Sequence, residues 1–175
     1  MTRNLGSTDL KRLHREWRRR TEGRVALLLE DVQSPFNVGA ICRTAAAYTV
    51  DHVWFVGHTA NPNDAKTQKT ALGTTRYLRW DHTDDVTAAV AAAHGDGYRV
   101  VGVELAEGAT PLHELAIAGD VCLAVGHEDR GLSKAALAAV DDLAYLPMLG
   151  RVGSLNVATA TALALYEVRR RAWTS

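Results

Sequence analysis

Three short segments of the chain combine amide, guanidinium, carboxylate and hydroxyl side chains with nearby glycines. The segments are 34–44 with Asn37 and Arg43, 126–131 with Glu128, and 147–157 with Ser154 and Asn156. Such side chains hold a ligand through hydrogen bonds and charge, and glycines let the backbone approach it closely. Each segment follows a short apolar run. Because ligands of open α/β sheets bind beyond the carboxyl ends of the strands, the three segments are candidates for one binding site.

Several familiar active-site motifs are absent from the sequence. No GxGxxG follows the first apolar run, and neither a P-loop motif nor GxSxG occurs. Dinucleotide-dependent dehydrogenases, P-loop enzymes and serine hydrolases are therefore poor candidates. The two cysteines, Cys42 and Cys122, lie far apart among apolar residues, without a CxxC or Cys/His spacing. They are predicted to be buried thiols rather than a disulfide or a zinc site, and no metal is expected.

The elements that must position these segments alternate between strands and helices. Apolar runs predict strands at 25–29, 53–57, 76–80, 100–103, 121–126 and 143–147, and helical patterns predict helices at about 8–20, 37–49, 83–94, 133–140 and 154–172. This alternation predicts an α/β fold with a mainly parallel sheet flanked by helices. At 175 residues with 47% hydrophobic residues, the chain is long enough for one well-packed domain.

The formal net charge is zero, but the charge is unevenly distributed along the chain. Residues 1–24 carry eight basic and three acidic side chains, and Leu10, Leu13 and Trp17 form an apolar stripe on the helix predicted there. We predict a basic helical arm over 1–24 and a domain over 25–175. The arm could bind phosphate groups, or its charges could simply be solvated. Without a signal-peptide core or an apolar run near the ~18 residues of a membrane span, a cytoplasmic protein is expected.

The order and spacing of the three segments resemble the signature motifs of the SpoU/TrmH family of RNA methyltransferases. The matching residues are Asn37-x-Gly39-x-x-x-Arg43, then Gly126-x-Glu128-x-x-Gly131, and then Leu146-Pro147-Met148-x-Gly150 with Ser154-Leu155-Asn156-Val157. Each motif alone is a weak signal, but together they match in order across about residues 24–170. The chain departs from the commonest second motif at Asp129 and Arg130, where small residues often occur, so the path of this loop is not predicted.

The resemblance implies a deep trefoil knot in the C-terminal part of the sheet. Periodicity alone would never suggest this topology, because knots are almost absent from proteins. The implied cofactor is S-adenosylmethionine, bound by Val103, Glu104, Leu105, Gly126, Leu146, Met148, Ser154, Leu155 and Asn156. The residue types agree with this role, because apolar loops can enclose an adenine while main-chain groups bond its edge.

The resemblance also implies the reaction, which is transfer of a methyl group to a ribose 2'-hydroxyl of RNA. The residues that it assigns to catalysis are Arg43, Asn37, Glu128, Ser154 and Asn156. Arg43 would hold the RNA phosphate beside the attacking ribose and stabilise the developing alkoxide, since a guanidinium stays protonated and makes a poor base. Glu128 would orient Arg43 or contact the substrate. Ser154 and Asn156 would cap the last helix and present polar groups to substrate and cofactor.

Structural explanations remain open for the same side chains. Arg43 could pair on the surface with Asp31 or Glu30. Asn37, expected as the N-cap of its helix, could have that role alone, and an exposed Glu128 could simply be solvated.

RNA is the implied partner, with contacts predicted at Arg12, Arg15, Arg19 and Arg43. A tRNA is favoured, with a guanosine of its D-loop as the first candidate, and ribosomal RNA is the alternative. The helix predicted over 154–172 is apolar on more than one face, which favours a homodimer, although packing within one subunit could also cover it. The helix ends in a brief basic tail at 169–171. The rival functions are a non-catalytic RNA-binding relative and an unrelated small-molecule enzyme.

Overall fold

A computed structural model of the chain describes residues 4–173. The first three residues of the predicted arm and the last two of the predicted domain lie outside the described residues. The strands are β1 Val25–Glu30, β2 His52–Val56, β3 Trp80–Thr83, β4 Arg99–Val103, β5 Thr110–Pro111, β6 Val121–Val125 and β7 Asp142–Tyr145. The helices are α1 Ser7–Arg19, α2 Pro35–Ala47, α3 Ala65–Ala71, α4 Val86–Gly95, α5 Lys134–Ala139 and α6 Val157–Arg171, with a 3-10 helix at Thr74–Tyr77.

In the described part of the chain, the strands form one sheet in the order β3-β2-β1-β6-β4-β7-β5. Every pair of neighbouring strands in this sheet is parallel. The central strands β1 and β6 are buried along their whole length, as expected when helices cover both faces of a parallel sheet. The predicted α/β fold with a mainly parallel sheet is confirmed.

Two apolar cores lie on opposite faces of the sheet. Alternate residues of β1 point to opposite sides, because side chains along a strand alternate. Leu27 and Leu29 pack with α2 and α6 in one core, whereas Ala26 and Leu28 pack with α4 and α5 in the other. The sheet therefore lies between two layers of helices.

The cysteines are both buried, as predicted. Burial raises the pKa of the Cys42 thiol to about 12, and burial likewise raises the pKa of Cys122. Both thiols are therefore protonated at neutral pH and unreactive.

The segment 76–80 was expected to be a strand, and this prediction is wrong. Residues 74–77 form the 3-10 helix instead, and the strand β3 begins at Trp80, which pairs with Val53. Leu72 and Gly73 take left-handed backbone conformations with φ of 52° and 72°, which turn the chain before it can extend. The alternation of apolar and polar residues at 76–80 therefore does not reflect a sheet edge.

The helix α1 forms where the sequence predicts a helix, but its apolar stripe is only partly covered by the rest of the described chain. Leu10, Leu13 and Trp17 are 40%, 37% and 39% exposed. The C-terminal end of α1 contacts the residues that follow α6. The Trp17 and Trp173 rings lie 5.0 Å apart, and the Glu22 amide donates to the carbonyl of Ala172 at 3.0 Å.

No helix within residues 4–173 is both long and apolar enough to cross a membrane. Over the same residues, no group of three or more His, Cys, Asp or Glu side chains is placed to hold a metal ion.

The basic end of α6, predicted as a brief tail at 169–171, is exposed only at Arg170. Arg169 is only 4% exposed, and it donates to the carbonyls of Gly23, Tyr48 and Thr49 at 3.0, 3.0 and 2.8 Å. Two of these carbonyls lie at the C-terminal end of α2, where the helix dipole favours a cation. Burial lowers the pKa of Arg169 below its ordinary value. The side chain therefore joins α6 to α2 and to the start of β1.

Replacing Gly39 with alanine is expected to destabilise the protein by about 1–3 kcal/mol. An added Cβ would lie 2.5 Å from the carbonyl oxygen of Thr67 and 2.7 Å from the Cβ of Thr70, so α2 and α3 would have to separate. Chemical denaturation measures the free energy of unfolding. Gly95 in α4 has no atom within 4 Å of such a Cβ, which makes Gly95→Ala the matched control. Equal stability of the two variants would contradict the tight contact.

Candidate functional site

A cavity of about 480 Å³ opens at the carboxyl ends of β4, β6 and β7. This volume lies in the range of small-molecule sites. Its walls come from the chain that follows each of these strands. The lining residues are Val103, Glu104, Leu105, Val125, Gly126, His127, Glu128, Asp129, Arg130, Gly131, Tyr145, Leu146, Met148, Gly153, Ser154, Leu155, Val157 and Ala160.

The residues predicted to bind the cofactor line this cavity, with the exception of Asn156. They come from segments that are far apart in the sequence, and the parallel strands bring them to one edge of the sheet. Asn156 lies beside the cavity, where it caps α6 by accepting from the amides of Ala158 and Thr159 at 3.0 and 3.3 Å.

The loop 126–131 forms a tight turn at the cavity wall. Hydrogen bonds from His127 N to Gly131 O at 3.0 Å and from Gly131 N to His127 O at 2.9 Å close it. A Cβ on Gly126 would lie 2.2 Å from the carbonyl carbon of Gly131, so this position requires glycine. Asp129 and Arg130, at which the second motif departs from the common pattern, are exposed and leave the closed turn intact.

Glu104 connects the end of β4 to this turn. Its carboxylate accepts from the amides of Leu105 and Leu132 at 3.1 and 3.0 Å. A Cβ on Gly131, which has a φ of 66°, would lie 2.1 Å from the Glu104 carboxylate. The Glu104 carboxylate therefore lines the cavity and also joins the end of β4 to the turn by hydrogen bonds.

The side chains of Asn37, Glu128 and Asn156 form one hydrogen-bond chain. The Asn37 amide donates from Nδ2 to Glu128 Oε1 at 3.0 Å, and its Oδ1 accepts from Asn156 Nδ2 at 3.0 Å. Glu128 Oε1 also accepts from the amide of Ser34 at 3.2 Å. Asn37, in the first motif, therefore connects Glu128 of the second motif to Asn156 of the third.

The carboxyl of Glu128 has a lowered pKa. Partial burial alone would raise this pKa, but hydrogen bonds from the Asn37 side chain and from backbone amides outweigh it. Glu128 is therefore ionised at neutral pH and acts as a hydrogen-bond acceptor. It contacts Asn37 and Ser34 rather than Arg43, so the prediction that Glu128 orients Arg43 is not supported within this chain.

Two predictions about helix caps need correction. The helix α2 begins at Pro35, and its N-cap is Ser34, whose hydroxyl accepts from the amide of Asn37. Asn37 lies inside the first turn and its side chain is free to bind Glu128, so the prediction of Asn37 as the cap was wrong. Ser154 precedes α6 by too far to cap it, and Asn156 alone is the cap.

Arg43 is exposed on α2. Among the described residues it has no hydrogen bond or ion pair. The alternative of pairing with Asp31 or Glu30 is wrong, because Asp31 lies 4.0 Å from Arg130 and Glu30 accepts from the amide of Ser133. Arg43 is not part of the cavity wall. Its donors are therefore available to a ligand that lies outside this cavity.

The side chains of Arg12, Arg15 and Arg19 are exposed on α1. Arg12 lies 3.8 Å from Asp9. No contact within the described residues brings these arginines to the cavity.

Sequence reasoning missed several residues of the site. Ser34 was missed although a serine followed directly by proline is a typical start of a helix. Tyr145 and Ala160 line the cavity, but tyrosine and alanine at those positions carry no signal apart from their place near a motif. His127 was visible within the second motif, and its backbone closes the turn.

Glu128→Gln is expected to destabilise the protein at neutral pH, because a neutral acceptor makes weaker hydrogen bonds to Asn37 and Ser34. The lowered pKa of Glu128 means that the folded state favours the ionised form. Its stabilising contribution is present above the ordinary glutamate pKa of ~4.3 and is lost as the pH falls through the lower value in the folded state. The difference in unfolding free energy between wild type and variant should therefore shrink toward acid pH. A difference independent of pH would contradict this account.

The cavity at the carboxyl ends of parallel strands defines the ligand site of an open α/β protein. The family model described as the SpoU rRNA Methylase family matches residues 24–166. The chain therefore belongs to the SpoU methylase family, and the membership predicted from its motifs is confirmed.

Similar proteins include enzymes acting on different RNAs. The chain is 32% identical over 149 residues to the tRNA (guanosine(18)-2'-O)-methyltransferase of Escherichia coli, covering 84% of this chain and 63% of that protein. It is 34% identical over 146 residues to the 23S rRNA (guanosine(2553)-2'-O)-methyltransferase of Bacillus subtilis, covering 83% of this chain and 58% of that protein. The chain thus spans about three fifths of the length of these relatives.

The fold is similar to that of a solved methyltransferase. The AdoMet-bound rRNA methyltransferase from Sinorhizobium meliloti superimposes with a TM-score of 0.80 at 28% identity, covering 89% of this chain and 59% of that one.

Proposed function

We propose that this chain is an S-adenosylmethionine-dependent RNA 2'-O-ribose methyltransferase. The observation that carries the proposal is the hydrogen-bond chain of Glu128, Asn37 and Asn156 beside the cavity. It brings together residues of three motifs that are separated by 91 and 119 positions. Arg43 adds support for catalysis, because it is exposed and has no partner among the described residues.

The cavity fits S-adenosylmethionine in size and chemistry. Leu105, Leu146 and Leu155 supply apolar wall for an adenine. Gly126 contributes backbone to the cavity wall, and a Cβ there would lie 2.2 Å from Gly131 and open the turn. Carboxylates at Glu104 and Glu128 suit the positive charges of the cofactor. Met148, Ser154 and Val103 complete the wall.

The cofactor, when bound, supplies an electrophilic methyl group. The chain's own residues bind and orient the reactants, which is the main requirement when an alcohol must attack in line. The guanidinium of Arg43 holds an RNA phosphate through two parallel hydrogen bonds and stabilises the negative charge that develops on the 2'-oxygen. Asn37 and Asn156 fix the loop and the helix between which the ribose must enter. Ser154, exposed at the cavity, offers a hydroxyl to the substrate.

The proposal includes the deep trefoil knot implied by the family resemblance. Its support is that β7 lies between β4 and β5 in the sheet, after which residues 146–156 lead back to α6. That helix packs on α2 and β6, so the C-terminal part of the chain returns past earlier strands at the edge where the cavity lies.

The proposal also includes a homodimer in which Arg43 acts in the site of the partner subunit. Leu163 and Tyr166 on α6 are 47% and 45% exposed, and Phe36 at the start of α2 is 61% exposed. Because α2 and α6 pack together, these apolar side chains and Arg43 can belong to one interface. Analytical ultracentrifugation tests the dimer, and a monomer at the concentrations used for activity measurements would contradict it.

The RNA substrate is proposed to be a tRNA, with ribosomal RNA as the alternative. The E. coli relative is named for guanosine 18 of tRNA and the B. subtilis relative for 23S rRNA, so relatives of this chain include both substrate classes. Mapping ribose methyl groups in total RNA from a deletion strain and its parent identifies the substrate. Loss of one methyl group from tRNA is the expected result, and loss from ribosomal RNA would select the alternative.

Thermal denaturation in the presence of ligands tests the cofactor. S-adenosylmethionine and S-adenosylhomocysteine should both raise the melting temperature, with ATP as the control ligand. At a hundred times Kd, such a ligand stabilises by about 2.7 kcal/mol. The Gly126→Val variant should lose the response because its side chain displaces the turn at 126–131. Absence of stabilisation by both ligands in the wild type would overturn the proposed function and favour a non-catalytic RNA-binding relative.

A further inference from the structure

A second cationic surface lies on α3 and the 3-10 helix that follows it. We define the α3 patch as Lys66, Lys69, Arg76, Tyr77 and Arg79, all of which are exposed. Its four basic side chains have no acidic partner among the described residues. The same stretch, 61–80, contains a single acidic residue, Asp64. Within residues 4–173, no carboxylate is paired with this positive charge.

An exposed aromatic ring lies within the α3 patch. Tyr77 is 66% exposed. The Arg76 guanidinium lies over its ring at 4.7 Å and donates to its hydroxyl at 2.7 Å. Single-stranded nucleic acids bind surfaces that combine basic side chains with an exposed aromatic ring. The basic side chains contact phosphates, and a nucleobase can stack on the ring.

The α3 patch has an ordered backbone. The Gln68 amide donates to Pro62 O and to Thr75 Oγ1, both at 2.7 Å. The Thr74 hydroxyl donates to Ala71 O at 2.6 Å. These bonds join α3 to the 3-10 helix, so the basic side chains project from a preformed surface and little backbone entropy is lost on binding.

The α3 patch adjoins the face of α2 that carries Arg43. Gly39 packs directly on α3, where its added Cβ would meet Thr67 O at 2.5 Å. Arg43 is four residues further along α2, and residues four apart lie on the same face of a helix. The 3-10 helix also contacts α2. Arg43 and the α3 patch can therefore form one continuous positively charged surface.

We propose that the α3 patch binds the RNA substrate outside the reacting nucleotide, and this inference rests on the proposed function. Its lysine and arginine side chains contact phosphates of the RNA strand that extends from the nucleotide held at Arg43. The ring of Tyr77 stacks on an exposed nucleobase of that strand. RNA is favoured over an acidic protein for two reasons. The unpaired basic side chains surround an aromatic ring on which a nucleobase can stack, and the positive surface extends toward Arg43, the predicted phosphate site. The α3 patch thus adds affinity and reach to a chain whose predicted RNA contacts otherwise lie on α1 and at Arg43.

The test neutralises the α3 patch and measures RNA affinity against salt. The variant K66Q/K69Q/R76Q/R79Q should raise the Kd for unfractionated bacterial tRNA roughly tenfold or more, and the slope of log K against log salt should fall by about 3. KM for tRNA should rise in parallel, whereas kcat and the Kd for S-adenosylmethionine stay unchanged. Lys134→Gln on α5, exposed on the opposite face of the sheet, is the control and should leave RNA binding unchanged.

Tyr77 permits a second measurement. Tyr77→Ala should weaken tRNA binding about five- to a hundredfold by removing a stacking surface, whereas Tyr77→Phe keeps the ring and should bind as the wild type does. Unchanged Kd and salt slope in the neutralised variant, or equal loss in both tyrosine variants, would overturn the proposal. RNA binding is measured without the cofactor, so a protein that binds RNA through the α3 patch yet transfers no methyl group would refute only the proposed function.

Discussion

Arg43→Ala is expected to lower the rate of methyl transfer to RNA by at least about a hundredfold. Removal of one group that stabilises developing negative charge has an effect of this size. Arg43 is exposed and has no partner among the described residues, so its loss removes no internal contact. The Kd for S-adenosylmethionine and the melting temperature should therefore equal those of the wild type. Single-turnover transfer of a labelled methyl group, at saturating cofactor and RNA, measures the rate.

Arg43→Lys separates charge from geometry. Lysine keeps the positive charge but loses the planar fork that binds phosphate through two hydrogen bonds. An intermediate rate is expected for this variant. Lys134→Ala, on the opposite face, controls for the loss of one surface charge. Wild-type activity in Arg43→Ala would refute the assigned role.

Arg169→Met is expected to destabilise the protein strongly, by about 3 kcal/mol or more. Its guanidinium bonds three carbonyls from two other segments, and hydrogen bonds to a charged group each contribute about 1.5–3 kcal/mol. Methionine retains most of the apolar stem, so the change mainly removes these bonds. Equilibrium unfolding in urea measures the loss.

Arg170→Met is the matched control for Arg169→Met. Arg170 is the next residue of α6, and it is exposed and paired with Glu167 at 2.9 Å. Exposed pairs of this kind contribute little to stability, so the unfolding free energy should barely change. If the two variants were equally stable, Arg169 would not be the structural cation that its contacts indicate.

The sheet was predictable because its central strands contain short apolar runs. Residues 25–29 and 121–125 are such runs, and they fit strands that are buried on both faces. The helix α3 could not be predicted, because its buried side chains are Thr67 and Ala71 and give no apolar stripe. Its position depends on Gly39, which lets α3 approach α2 closely. Such a contact is a property of the fold rather than of the local sequence.

The site was predictable in its residues but not in their partners. Asn37, Glu128 and Asn156 were recognised by their motifs, yet their hydrogen bonds join positions 91 and 119 residues apart. Local sequence cannot specify which amide meets which carboxylate over such separations. Arg169 shows the same limit, because three consecutive arginines suggest an exposed tail. The carbonyls that bury its guanidinium belong to other elements.

The position of the transferred methyl group is the most direct test of the proposed reaction. The protein is incubated with RNA and S-adenosylmethionine labelled in the methyl group, and the RNA is then hydrolysed completely in alkali. Alkaline cleavage needs a free 2'-hydroxyl, so a 2'-O-methylated nucleotide stays joined to its neighbour. The account predicts that the label appears in alkali-stable dinucleotides. Label in mononucleotides, which would indicate methylation of a base, or no label in RNA, would contradict it.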